Sequence, residues 1–119
     1  MNSGVIDVKK NDLIAMGIDY DDAMNRFMNN EEMYMTFLNR FKDDHSYKLM
    51  REALDQNDIS AAYDAAHDLK SITGNLSMKK LYHHVCLLVD DLKKGDTSHI
   101  KELLPPIIDE YTTVINMLK

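Results

Sequence analysis

The sequence predicts an all-α protein, an up-down-up-down antiparallel four-helix bundle with one or two short N-terminal helices. Apolar residues recur at intervals of three and four along most of the 119 residues, the spacing of one face of an α-helix. The periodic segments are separated by short polar turns, which favour antiparallel neighbours. Patterns typical of strands are absent. We expect residues 10–119 to form a single domain and residues 1–9, which carry no period, to form a flexible N-terminal arm.

The first part of the chain predicts two short helices. One runs from position 11 or 12 to Met16, and Gly17 is well suited to end it. The second has Asp19 as its N-cap and continues through Phe27.

A long third helix is expected from Asn30 toward Asp55. Asn30 is a good N-cap and two glutamates follow it, as helix starts prefer. The polar run 43–46 interrupts the pattern, and a kink is expected there. His45 falls within the apolar stripe and is expected to be partly buried. The stripe consists of Tyr34, Phe37, Leu38, Phe41, Leu49, Ala53 and Leu54.

The fourth helix follows a turn at 56–58, and Asp58 can cap it. At about 100° per residue its apolar residues form one continuous arc. His67 lies roughly 150° from the centre of this arc, so its imidazole should face solvent. The arc contains Ile59, Ala62, Ala65, Ala66, Leu69, Ile72, Thr73 and Leu76.

Two further helices complete the predicted bundle. Ser77 is the expected cap of the first, which should end at the two lysines before Gly95. Pro105 and Pro106 must either kink the last helix or mark a restart, since proline removes a helix donor and clashes with the preceding turn. The first stripe is Met78, Leu81, Tyr82, Val85, Leu88, Val89 and Leu92; the second is Ile100, Leu103, Leu104, Ile107, Tyr111, Val114 and Leu118.

His67 is the centre of the candidate site. Residues at helical spacing share its exposed flank: Tyr63 four before, Lys70 three after, Ser71 four after and Gly74 seven after. Ser71 and Gly74 are small, so another folded surface can approach the ring closely. Glycine inside a helix costs about 1 kcal/mol relative to alanine, and close approach of a partner is one compensating reason.

Reversible phosphorylation of the ring is the chemistry that this arrangement favours. A neutral imidazole keeps a lone pair at cytosolic pH and is a good nucleophile toward phosphorus. The Lys70 ammonium can reach the charge of a phosphoryl group one turn away. An ordinary surface histidine is the alternative that His67 alone would support.

The segment from His67 to Ser77 resembles the signature of histidine-containing phosphotransfer (HPt) domains, His-x-x-Lys-Gly-x-x-x-x-Leu-Gly. The spacing matches without a gap, and His67, Lys70 and Leu76 match in kind, while Ser71 and Ser77 replace the two glycines. Residues 17–27 and 31–41 also look like the opening of such domains. The resemblance therefore covers most of the chain from Gly17 onward.

The resemblance implies a phosphorelay role. His67 would accept a phosphoryl group at Nε2 from a receiver-domain phosphoaspartate and pass it to another receiver, with Lys70 stabilising the charge. Tyr63, Ser71 and Gly74 would contribute to docking. The implied partners are response-regulator receiver domains, which supply Mg²⁺, and a hybrid histidine kinase; no cofactor of its own is expected.

One position departs from the family pattern. Many members carry a glutamine or glutamate on the next helix that hydrogen-bonds the second ring nitrogen. An ungapped count places this role at Val89, which cannot perform it. His84 or Asp90 could substitute, or water, or nothing, could orient the ring.

Composition excludes several other functions. The net charge of −6, with no Lys/Arg cluster longer than a dipeptide, argues against nucleic acid as the partner. No stretch reaches the roughly 18–20 apolar residues of a membrane span, and no signal peptide is recognisable. The single Cys86 cannot form an internal disulfide. We therefore expect a cytoplasmic monomer with no membrane contact.

Other chemistries receive little support. No glycine-rich phosphate loop occurs, so we expect no ATP-dependent kinase activity. Metal motifs such as His-Glu-x-x-His are absent, and no metal site is expected. His83 and His84 are expected to be solvated, and His99 to lack a partner.

Two alternatives remain open. The same bundle could serve as a non-phosphorylated helical adaptor. The chain could also be a domain of a larger hybrid kinase, although its first methionine and its end after a complete helix fit a free-standing carrier.

Overall fold

A computed structural model describes residues 10–119, and the predicted arm at 1–9 lies outside the described residues. All regular structure within 10–119 is helical, with no strand, so the all-α prediction is confirmed. A 3-10 turn at Phe41–Asp43 separates the third and fourth helices. The α-helices are α1 (Lys10–Ala15), α2 (Tyr20–Arg26), α3 (Glu31–Arg40), α4 (Ser46–Asp55), α5 (Ile59–Asn75), α6 (Lys79–Lys93) and α7 (Ile100–Leu118).

Most helix ends lie where local sequence signals place them. Asp19, Asn30 and Asp58 each accept a hydrogen bond from the backbone N–H three residues later, at 3.0, 2.9 and 3.1 Å. Gly17 follows α1 with φ +84°, and Gly95 follows α6 with φ +71°. Both angles lie in the left-handed region, which glycine adopts without a steric penalty.

The predicted long third helix is wrong, because the chain breaks between α3 and α4. The Asp44 side chain accepts a hydrogen bond of 2.8 Å from the Ser46 backbone N–H, so the polar run starts a new helix instead of only kinking one. The break also resets the helical phase. His45 is consequently exposed rather than partly buried, and Leu49 is 54% exposed despite its place in the expected stripe.

The last helix is continuous. α7 runs through Pro105 and Pro106, so the alternative of a restart is wrong. Each proline leaves a carbonyl one turn earlier without its N–H donor. These carbonyls belong to Lys101 and Glu102, which are both exposed, so water can satisfy them.

The core lies along α5, which packs against α4 on one side and α6 on the other, while α6 also packs against α7. The apolar arc predicted for α5 is buried, with Ile59 and Ile72 partly so. His67 lies on the exposed side of the same helix. Within residues 10–119, no helix combines the length and the apolar character that crossing a bilayer requires.

The N-terminal helices are joined to the turn between α5 and α6. The Asp19 N–H donates to the Ser77 carbonyl at 2.9 Å, and the Lys80 N–H donates to the Gly17 carbonyl at 3.2 Å. The Ser77 hydroxyl donates to Asp22 Oδ2 at 2.6 Å. Ser77 was predicted to cap α6, and this is wrong: Met78 occupies the N-cap without a side-chain hydrogen bond.

Tyr34 connects α3 to the end of α5. Its side chain is fully buried, and its hydroxyl donates to the Leu76 carbonyl at 2.7 Å. Leu76 is the C-cap of α5, where backbone carbonyls lack helical donors. Burial raises the pKa of Tyr34, so the hydroxyl keeps its proton throughout the neutral range.

Replacing Tyr34 by phenylalanine should lower the free energy of unfolding by about 1–2 kcal/mol, since it removes the buried donor to Leu76. Urea denaturation followed by circular dichroism measures this. Tyr111→Phe is the matched control: Tyr111 is partly buried, and its hydroxyl has no hydrogen bond within residues 10–119. An equal loss in both variants would contradict the role of the Tyr34 hydroxyl.

Candidate functional site

The residues predicted to surround His67 lie together on α5. His67 and Ser71 are exposed, while Tyr63, Lys70 and Gly74 are partly buried. The Tyr63 and His67 rings have centroids 5.9 Å apart at an interplanar angle of 42°. The Ser71 hydroxyl donates to the His67 carbonyl at 3.3 Å.

A surface pocket of about 320 Å³ opens beside His67. His67, Lys70, Ser71 and Gly74 line it, whereas Tyr63 does not line it and packs against the core beside the His67 ring. Sequence reasoning missed several lining residues from other elements. The most consequential for its chemistry are Arg26, Lys79 and Tyr82.

The pocket is locally positive although the chain is acidic. Lys70 has no ion-pair partner within residues 10–119. Arg26 Nε lies 2.9 Å from Asp22 Oδ2, and Lys79 Nζ lies 3.6 Å from the same oxygen. Three cationic side chains therefore line the pocket, and the only carboxylate paired with any of them within residues 10–119 is that of Asp22, which Arg26 and Lys79 share, so an anion is the favoured ligand.

Asp22 holds the two cations that come from outside α5. Hydrogen bonds from the Ser77 hydroxyl and then from Arg26 lower the pKa of Asp22, and the Lys79 and Arg26 charges act in the same direction. Asp22 therefore remains ionised at neutral pH. No local sequence signal predicts this group, because Asp22 and Ser77 are 55 positions apart.

The structure explains why a glycine occupies position 74 of α5, which the sequence did not reveal. A Cβ built on Gly74 would lie 3.0 Å from Tyr82 Cε1 and 3.2 Å from Cδ1. The Tyr82 ring therefore lies over the glycine, at a distance that a side chain would disturb. This intramolecular packing accounts for a glycine inside α5 without invoking a partner.

The pKa of Tyr82 depends on charges in and beside the pocket. Its pKa is raised mainly by a hydrogen bond with Cys86 and by the negative charge of the ionised Cys86 side chain, while Lys70 and then Arg26 act to lower it. Both cations are thus close enough to act on the same phenol.

No side chain within residues 10–119 hydrogen-bonds a ring nitrogen of His67. Val89, the position to which the resemblance assigns this role, is 3% exposed and part of the core. His84 Nδ1 instead lies 2.8 Å from Glu110 Oε1. His84 is therefore partly buried between α6 and α7, not solvated as expected, whereas His83 is exposed. Neither His84 nor Asp90 orients His67.

His99 has partners, contrary to expectation. Its Nδ1 lies 3.1 Å from Asp91 Oδ2 and 3.6 Å from Asp96 Oδ2, and one ligand atom from each of the three lies within 4.8 Å of the others. Ser98 donates its N–H and its hydroxyl to Asp96 at 2.9 and 2.6 Å. These bonds shape the turn before α7, and this local role accounts for the cluster without a metal.

No protein-family model, curated protein or solved structure matches this chain. The chemistry of the site is therefore argued from its own residues.

The packing of Tyr82 on Gly74 should control the effect of Gly74→Ala. In the Tyr82→Ala background, this change should stabilise the protein by about 0.5–1 kcal/mol through helix propensity. In the wild type the gain should be reduced or reversed, because the new Cβ meets the ring. Urea denaturation of the four proteins measures the difference. Ser60→Ala, at an exposed position of α5, should have the same effect in both backgrounds. Equal effects of Gly74→Ala would contradict the constraint.

Asp22 should contribute a pH-dependent part of stability. Because its pKa is lowered in the folded state, its contribution is present above the ordinary value of 3.8 and is lost as the pH falls through the lower folded value. The free energy of unfolding should therefore fall more steeply on acidification below that pH in the wild type than in Asp22→Asn. Asp21→Asn, an exposed neighbour on α2, should keep the wild-type slope. Parallel slopes for the wild type and Asp22→Asn would contradict the assignment.

Proposed function

We propose that this protein is a histidine phosphotransfer protein of the HPt type. In this proposal His67 carries a phosphoryl group between receiver-domain aspartates in a two-component phosphorelay. The observation that supports it most is an exposed histidine at the rim of a pocket with three surrounding cations. An ordinary surface histidine does not require such surroundings.

The proposed step is a displacement at phosphorus. The lone pair of neutral His67 Nε2 attacks the phosphoaspartate of a receiver, a P–N bond forms, and the P–O bond to the aspartate breaks. The aspartate leaves as a carboxylate, and Nδ1 keeps its proton. The reverse reaction with a second receiver regenerates the imidazole. Mg²⁺ belongs to the receiver, and the chain makes no phosphohistidine from ATP.

Lys70 stabilises the charge of the phosphoryl group in this proposal. It lies one turn beyond His67, lines the same pocket and has no ion-pair partner in the described part of the chain. A free ammonium can turn toward an anion without first breaking another bond. Ser71 and Gly74 line the pocket with little bulk.

In this proposal a receiver docks beside the His67 pocket, on a second surface pocket that is apolar. An apolar surface pocket of about 350 Å³ is lined by residues of α3 and of α5, including Phe37 and Ile72. Phe37 is 43% exposed, and Ile72 follows Ser71 on α5. Tyr63 contributes on the other side of His67. This arrangement adds α3 to the docking surface expected at Tyr63, Ser71 and Gly74.

We further propose that α4, α5, α6 and α7 form the up-down-up-down four-helix bundle. Successive packing of α4 on α5, α5 on α6 and α6 on α7 supports this topology, as do the short turns between them. The extents of 49 × 24 × 20 Å fit an elongated bundle. In this proposal the protein acts as a monomer in the cytoplasm, with receivers and a hybrid histidine kinase as partners and without nucleic acid or membrane.

Incubation with a phosphorylated receiver domain tests the function. The wild type should gain acid-labile, alkali-stable phosphate, and His67→Ala should gain none, because it lacks the nucleophile. His83→Ala, which removes another exposed histidine, should be labelled like the wild type. Lys70→Gln should slow the transfer severalfold.

Absence of label from several receivers would contradict the proposal. Detectable binding of those receivers without label would favour the helical adaptor. Label that persists in His67→Ala would place the acceptor elsewhere.

A further inference from the structure

Two cationic residues outside the His67 motif line the pocket from helices other than α5. Arg26 is the last residue of α2, and Lys79 is the first residue of α6. Both line the pocket together with His67 and Lys70. Cations from three separate helices therefore converge on one concavity, which suggests a use beyond general solubility.

Arg26 retains most of its hydrogen-bonding capacity. Its Nε donates to Asp22 Oδ2, and the guanidinium makes no other hydrogen bond within residues 10–119. The two terminal NH₂ groups are therefore available as donors. A guanidinium fixed at Nε presents these groups as a planar fork, which matches two oxygens of a tetrahedral anion.

Asp22 holds Arg26 and Lys79 in place without neutralising the positive charge of the pocket. One carboxylate oxygen accepts from the Ser77 hydroxyl at 2.6 Å and from Arg26 at 2.9 Å, and lies 3.6 Å from Lys79 Nζ. Ser77 is 1% exposed, so its hydroxyl is a fixed donor. Arg26, Lys70 and Lys79 bring three positive charges and Asp22 one negative charge. The pocket keeps a positive excess.

We propose that this pocket is an oxyanion-binding site. In this site Arg26 and Lys79, which Asp22 holds in place, bind phosphoryl oxygens together with Lys70. The occupant is the phosphoryl group on His67, an identification that rests on the proposed function. The predicted binding of inorganic phosphate in this pocket does not depend on the proposed function. Arg26 and Lys79 are thus ligand-contacting residues, and Asp22 is a positioning residue.

Inorganic phosphate is the first probe. It is titrated into the unphosphorylated protein at constant ionic strength, and NMR follows the Arg26 Nε–H and the His67 ring. Both should shift with a common Kd on the order of millimolar. Arg26→Gln and Lys79→Gln should each raise this Kd about three- to tenfold, while Arg26→Lys, which keeps the charge, should recover part of the loss.

Controls separate a site from general charge effects. Lys93→Gln removes an exposed lysine at the other end of α6 and should leave the Kd unchanged. Asp22→Asn should raise the Kd even though it removes a negative charge, because Arg26 and Lys79 lose their anchor. A Kd that falls in Asp22→Asn would overturn the positioning role. Shifts that chloride reproduces, or equal effects of Arg26→Gln and Lys93→Gln, would overturn the site.

Chemical phosphorylation tests the occupant. Phosphoramidate transfers its phosphoryl group to His67 Nε2 and releases ammonia, with no receiver needed. The Arg26 Nε–H resonance should then move in the wild type and not in His67→Ala treated alike. An unmoved Arg26 resonance on phosphorylated protein would overturn the identification. If receivers fail to label His67 while phosphate binds in the pocket, the phosphorelay proposal fails and the oxyanion site stands.

Discussion

The hydrogen bonds around Ser77 are the interaction on which the architecture of the site depends. This residue has φ +57°, which costs a non-glycine residue about 1–2 kcal/mol. Its carbonyl accepts from the Asp19 N–H, and its hydroxyl donates to Asp22. The turn between α5 and α6 therefore holds the start of α2. Because α2 is short, fixing its first turn also fixes its last residue, Arg26, beside the pocket.

α5 satisfies two opposing demands. It packs between α4 and α6, and small residues such as Ala62 and Ala66, both fully buried, let those helices approach closely. Its opposite side must stay open around His67. Gly74 lies where these demands meet: it makes room for the Tyr82 ring, and both residues line the pocket. One side of α5 can therefore pack tightly against α4 and α6 while the other side leaves the His67 imidazole accessible.

Local signals were enough to predict the helical class, the N-caps Asp19, Asn30 and Asp58, and the side of α5 that carries His67. Caps such as Asp58 act within one turn, and an apolar arc reflects periodicity alone, so both are visible in sequence. The break before α4 was missed because a polar run fits a kinked helix as well as a new start. The new start is stabilised by the Asp44 side chain, which accepts a hydrogen bond from the Ser46 N–H. Arg26 and Lys79 were missed because the carboxylate that joins them reaches the turn before α6 only through tertiary packing.

The distribution of charge explains why an acidic chain can present a cationic pocket. The overall charge of −6 is spread over the surface, and at a separation beyond a Debye length, about 8 Å at physiological ionic strength, exposed charges are largely screened. Inside the pocket the cations act at short range, because Arg26, Lys70 and Lys79 all line the same concavity. A phosphoryl group beside His67 would therefore experience the local positive excess and little of the net charge. Asp22 opposes that excess in part, and its hydrogen bond with Arg26 holds the guanidinium in place.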